Sequence, residues 1–305
     1  MKPSLLKWIF LVLLALIWGS SFILMKRGLM YFRPDQVAAM RMLIAFIVSF
    51  PFVARHYKKI GKGKFKYIAV VGILGSGIPA ILFTTAQTRI NSSLAGMLNS
   101  LTPLFTLLIG FWFFRTRFSV WQIAGVAAGF AGAAGLILIN AEGDLSADAG
   151  YALLIMIATL FYGISVNTIK AHLAGINVLI ISGFALLCVG IPYGIYLFTT
   201  DFVDRLANEP NAWTGVMFIA ILAVMGTALS NILYFQMVKI SSPLFASAVT
   251  YFIPIVALFW GLGDGESLNL LHIPAMLAIL GGVAMISYDG YKTRKMAELN
   301  TTEQE

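Results

Sequence analysis

Inside otherwise apolar stretches of this 305-residue chain, polar side chains recur at helical spacing, and their types limit what they can do. Trp18 and Ser21 stand three apart, as do Tyr162 and Ser165. Thr84, Gln87 and Thr88 fall in one apolar run, and Asn99, Thr102 and Thr106 in the next. The pattern returns later in the chain with Thr227, Ser230, Asn231 and Tyr234, then Ser247, Thr250 and Tyr251. Spacings of three, four and seven put each set on one helical face. Hydroxyls, amides and aromatic rings of this kind hold a solute without covalent chemistry, and they suit a neutral or zwitterionic molecule with an apolar part, such as an amino acid. The competing use is hydrogen bonding between helices, at about 0.6 kcal/mol per contact in membranes.

Arg41 is the one charged residue well inside an apolar run. It lies seven residues beyond Pro34, hence roughly 10 Å into a helix at 1.5 Å per residue. A central Arg costs about 2.5–3.5 kcal/mol on insertion scales and faces protein or a cavity. It would clamp a substrate carboxylate or phosphate, or else serve the fold by snorkelling outward or by pairing with helix-end carbonyls.

Covalent and metal chemistry find no support. His56, His172 and His272 share no metal-ligand spacing. The lone Cys188 allows no intramolecular disulfide and no Cys-based metal site. Gly75-Ser76-Gly77 offers a hydroxyl with no His in a span to act as base, and reads as a packing segment beside Pro79. No catalytic residue, metal or cofactor is therefore expected. No Asp or Glu lies deep in any span, so the usual carboxylate proton relay is missing, which points to uniport or a less obvious coupling.

These side chains must be positioned by helices in lipid. The chain is 59% hydrophobic and only 11% charged, with a mean hydropathy of +0.88, whereas soluble domains carry about 25% charged residues. Apolar runs recur at the length that crosses a bilayer, about 20 residues for a hydrocarbon core of roughly 30 Å. The runs predict ten helices, near 8–26, 34–54, 66–88, 91–114, 119–139, 150–170, 177–198, 212–237, 242–261 and 271–288. The first is read as a retained span and not a cleaved leader, because it runs on past Gly19-Ser20-Ser21 to Lys26.

The net charge of +8 does not signal nucleic acid, because its placement follows the positive-inside rule. With a cytoplasmic N-terminus, 15 of the 21 Lys and Arg flank the inner side and 5 the outer, Arg41 lying within a helix. Nine of the thirteen acidic residues fall in outer loops, including Glu142, Asp144, Asp148 and Glu209. Both termini are thus expected in the cytoplasm, and the protein in the inner (cytoplasmic) membrane.

The halves, 1–140 and 141–305, resemble each other. Trp18-Gly19-Ser20-Ser21 running to Lys26 matches Tyr162-Gly163-Ile164-Ser165 running to Lys170 at an offset of 144. Pro51 matches Pro192, and Pro103 matches Pro254. Five helices is an odd number, so the second copy enters from the opposite side, the arrangement of many secondary transporters. Pro103 and Pro254 would then be hinges for alternating access or static kinks. Gly125, Gly129, Gly132, Gly135 and Gly281-Gly282 permit close helix contact, within one subunit or between two in a homodimer.

The Trp18-Gly19 helix, the stretch Met40-Arg41-Met42-Leu43-Ile44-Ala45 and the two Pro-centred helices followed by Gly-rich ones resemble the EamA-type family of the drug/metabolite transporter superfamily. The resemblance spans nearly the whole chain in two copies. It implies an all-α bundle of ten transmembrane helices, two inverted five-helix repeats around a central cavity bounded by spans 1, 3, 4, 6, 8 and 9, exporting small metabolites. One departure stands out: the family commonly carries a Glu after each Pro-centred helix, matched by Glu266, while Thr116 takes that place in the first copy. A flippase for lipid or polyprenyl-linked substrates is the near alternative, marked by a lateral opening to lipid. An intramembrane enzyme is a more distant one.

Overall fold

The structure, a computed structural model, describes residues 3–56, 62–90, 92–140, 149–263, 273–286 and 288. Glu266, His272 and the acidic loop with Glu142, Asp144 and Asp148 lie outside the described residues. Helices follow one another as α1 (Pro3–Gly28), α2 (Pro34–His56), α3 (Lys62–Gly72), α4 (Ile78–Ala86), α5 (Ser92–Asn99), α6 (Thr102–Trp112), α7 (Val120–Asn140) and α8 (Ala149–His172). The chain continues through α9 (Val178–Phe198), α10 (Phe202–Asn208), α11 (Ala212–Ala223), α12 (Ser230–Ile240), α13 (Pro243–Ser247), α14 (Ile253–Gly263) and α15 (Ile273–Ile286). Among the described residues there is no strand.

Among the described residues, six rods are long and apolar enough to cross a membrane: Leu5–Leu29, Pro34–Arg55, Gly63–Ala86, Gly150–His172, Val178–Phe198 and Ala212–Ile240. Shorter apolar helices complete the bundle, which carries large apolar side chains outward, among them Phe113 (74% exposed) and Trp213 (69%). An exterior of that kind is stable against lipid and not against water.

Four of the rods are interrupted. A π-helical turn, Ile73–Gly77, joins α3 to α4, and a second, Val224–Leu229, joins α11 to α12. The chain breaks at Ser100-Leu101 between α5 and α6, and a 3-10 turn, Ala248–Phe252, joins α13 to α14. Pro103 and Pro254 therefore do not kink continuous helices, as the sequence reading has it. Each sits in the first turn of a new helix, where its missing N–H costs no intrahelical bond.

Glycines let the rods close up. On α9, Gly183, Gly190 and Gly194 meet Val53, Phe46 and Leu43 of α2, and a Cβ at Gly190 would lie 2.2 Å from that of Phe46. Gly125 of α7 meets Gly282 of α15 backbone to backbone, and Gly132 meets the Ala275 carbonyl. Gly129 lies against the Tyr251 ring. The α7 stripe is thus filled within the subunit, so the homodimer reading loses that support.

Polar clusters tie the bundle at its two ends. Arg33 pairs with Asp35 (2.9 Å) and Asp201 (3.3 Å), and Arg205 pairs with Asp201 (2.7 Å). The buried Gln36 amide joins them, donating to Asp201 at 2.8 Å. At the other end, Lys170 donates to the carbonyls of Ser241 (2.9 Å) and Lys239 (3.2 Å), capping the end of α12, and Lys239 in turn donates to the Ile176 carbonyl. A cation at these orphan carbonyls is the favoured C-terminal partner of a helix.

Candidate functional site

The four interruptions converge. Gly75 and Ser76 of the first π turn, Gly226 and Thr227 of the second, Asn99 and Thr102 at the α5–α6 break, and Thr250 in the 3-10 turn all line one cavity. Its empty volume is about 880 Å³ counting the open mouth. α1 and α8 complete the wall with Trp18, Ser21, Tyr162 and Ser165, α2 with Arg41, and α12 with Asn231 and Tyr234.

Irregular backbone frees carbonyls that lipid cannot satisfy, so it is tolerated at membrane depth only inside protein or along a cavity. Here each π turn receives donors from the opposite half of the chain. The Trp18 indole N–H donates to the Gly226 carbonyl (3.2 Å) and to Ser230 Oγ (3.1 Å). Arg41 donates through Nε to Thr227 Oγ1 at 2.7 Å and through Nη2 to the Gly226 carbonyl at 3.4 Å. In the other direction, the Tyr193 hydroxyl donates to the Gly77 carbonyl (3.0 Å). The breaks are joined likewise, Ser100 Oγ donating to the Thr250 carbonyl at 3.2 Å.

The remaining side chains are fixed by their neighbours. The Trp18 and Tyr234 rings meet with centroids 5.1 Å apart, and Tyr162 stacks on Phe83 at 6.2 Å. Ser21 returns its hydroxyl to the Ile17 carbonyl at 2.8 Å, and a Cβ at Gly226 would lie 2.6 Å from its Oγ, so α1 rests directly on the second π turn. Ser165 lies in the same relation to Gly75, at 2.4 Å. Arg41 is partly buried and reaches the cavity, which removes the snorkelling reading and leaves both the pairing with a helix carbonyl and a free edge toward a solute.

Three sequence candidates are placed elsewhere. Thr84 is fully buried and spends its hydroxyl on the Ala80 and Ile81 carbonyls within its own helix. Gln87 donates to Ser92 Oγ (3.1 Å) and approaches the Phe22 carbonyl (3.5 Å) at a helix end. Tyr251 is buried against α7 and donates to the Val126 carbonyl at 3.1 Å.

Ser76, which the sequence reading gave to packing, and Gly226 are wall residues that the candidate set lacked. A signal for them is present in the sequence: Gly75-Ser76 and Gly226-Thr227 are 151 positions apart, the same interval that separates Pro103 from Pro254. Among the described residues no cluster of His, Cys, Asp or Glu could hold a metal ion.

The chain is 26% identical over 288 residues to a protein of Escherichia coli K12 named uncharacterized inner membrane transporter YedA, covering 91% of this chain and 89% of that one. A Salmonella typhimurium protein named probable amino-acid metabolite efflux pump is 26% identical over 148 residues, 47% of this chain and 46% of its own. One solved crystal structure superposes with a TM-score of 0.70 at 14% identity, covering 96% of this chain and 98% of that one, and so shares the fold. The relatives and the apolar rods make this a multi-pass protein of the inner membrane. The sequence profile of the EamA-like transporter family matches residues 6–138 and again 149–288, and the chain belongs to that family.

Proposed function

We propose that this transporter exports small metabolites, amino acids among them, by alternating access between two inverted five-helix repeats, 1–140 and 141–305, with ten spans and both termini in the cytoplasm. The observation that carries the reading is the convergence of two interrupted rods from each half on one cavity, each π turn receiving donors from the opposite half. Discontinuous helices meeting between repeats are where secondary transporters place their substrate. Cross-half bonds of single-bond strength can exchange as one half rocks against the other. The partial match to the Salmonella efflux pump supports amino-acid metabolites as a substrate class.

The test compares extracellular metabolites of cells overproducing the chain with cells overproducing the Trp18→Ala, Asn99→Ala double variant. One chemical class is expected to accumulate outside only with the intact chain. Matching profiles, with both proteins present in the membrane, would sink the reading.

A further inference from the structure

Arg41 is the only charged residue among the described residues that line the cavity. Of its five N–H donors, two are placed: Nε on Thr227 Oγ1 at 2.7 Å and Nη2 on the Gly226 carbonyl at 3.4 Å. The other three have no partner among the described residues, and they include the Nη1–Nη2 edge that binds a carboxylate in bidentate fashion. The described ion pairs leave Arg41 out: Arg33, Asp35, Asp201 and Arg205 neutralise one another at the bundle end. A centrally placed guanidinium without a counter-ion is costly, and a bound anion offsets part of that cost.

A cationic head would find no carboxylate in the same wall, only carbonyls, hydroxyls and rings. The sequence places no Asp or Glu deep within a span, so no carboxylate there relays a proton to or from the solute. Trp18, Phe22, Phe83, Tyr162 and Tyr234 supply the aromatic part of the same wall.

We infer that the transported species is an organic anion with an apolar or aromatic body, its carboxylate on Arg41, and that it leaves by uniport driven by the membrane potential. The inference rests on the transport reading above and narrows it. Over a complete uniport cycle the charge moved is the charge of the solute, whatever charge the empty carrier bears. An inside-negative potential then expels a monoanion with about 2.3 kcal/mol per 100 mV. No coupling ion is required.

The test uses the full-length chain in proteoliposomes loaded with N-acetylphenylalanine, phenylalanine and phenylalanine amide, one aromatic body as anion, zwitterion and cation. Protein-free vesicles give the background. The anion is expected to leave in preference to the other two. An inside-negative potassium diffusion potential of about 60 mV should shift its final distribution about tenfold outward. Arg41→Gln should lower its flux at least tenfold at unchanged Tm, and Arg41→Lys should retain part of it. If Arg41→Gln fails to fold, the potential dependence of the unmodified chain decides alone.

Protein-dependent exit of the zwitterion or the cation without the anion overturns the inference and leaves the transport reading standing. So does anion exit indifferent to the potential. If none of the three leaves, vesicles loaded with a small-molecule extract of the producing cells are followed by mass spectrometry. Anions leaving the extract support the inference, and zwitterions or cations overturn it. If nothing leaves, the transport reading itself falls and takes the inference with it.

Discussion

The side-chain amide of Asn231, in the first turn of α12, donates to Ser76 Oγ of the first π turn at 3.3 Å, so the two halves of the chain are joined side chain to side chain in the cavity wall. Both residues are buried. A π turn is a local widening frequent at functional sites, and both such turns line the same cavity. A link from the first of them to the opposite half is where relative motion of the halves would first be felt.

That bond should be measurable as a coupling. Ser76→Ala and Asn231→Ala, singly and together, form a double-mutant cycle read from thermal unfolding in detergent. A coupling energy of about 0.6–1 kcal/mol is expected, the ordinary size for a hydrogen bond between helices in a membrane protein. Additivity within error would mean the contact is not made in the populated state.

Adjacent glycines on α15 should behave oppositely. A Cβ at Gly282 would lie 2.5 Å from the Gly125 carbonyl, whereas one at Gly281 meets nothing within 4 Å. Gly282→Ala forces α7 and α15 apart and should cost about 1–3 kcal/mol. Gly281→Ala should be neutral or slightly stabilising, since alanine is the better helix former by about 1 kcal/mol. Apparent Tm of the two variants decides.

Polar residues outside the cavity should affect stability and spare export. Tyr251→Phe leaves the buried ring in place and deletes its bond to the Val126 carbonyl, a loss of about 1 kcal/mol. Thr84→Val keeps the side-chain volume and removes only bonds within its own helix. Efflux by both should match the parent chain. A large drop in efflux at unchanged Tm would place them on the pathway after all.

The bundle-end cluster should respond to acid. Arg205 and then Arg33 hold the exposed Asp201 carboxyl below its ordinary range. A group whose folded pKa is depressed contributes stability above its unfolded value and loses it as pH falls through the folded one. Asp201→Asn should therefore be slightly less stable than the parent at neutral pH. The difference should close as pH drops below the ordinary carboxylate range, in parallel thermal scans. Because the pair is exposed, the effect should also shrink with added salt.

Much of this was legible in the sequence because polar groups are conspicuous in an apolar span. Trp18, Ser21, Asn99, Tyr162, Ser165, Asn231, Tyr234 and Thr250 stood out by type and spacing, and the structure sets them around one cavity. Spacing alone fixes a face only while the helix stays regular. A π turn adds a residue to a turn and rotates everything beyond it by about 100°. Hence the polar face read from Thr84 and Gln87 is not the face that Ser76 presents across the turn. Thr250 and Tyr251 show the same limit: successive residues of a 3-10 turn point about 120° apart, one to the cavity and the other to α7. Where each proline sat in its helix was equally hidden, since a mid-helix kink and a fresh helix start share one composition.

The most direct measurement of the pathway is chemical blockade. With Cys188 replaced by alanine, a single cysteine at Ser165 in the cavity wall is modified with a hydrophilic thiol reagent in proteoliposomes, beside one at Thr84. Quantitative modification of Ser165→Cys should stop efflux of the chain's substrate, while Thr84→Cys should neither react at a comparable rate nor lose flux. Undiminished efflux from fully modified Ser165→Cys would contradict the assignment of this cavity as the transport route.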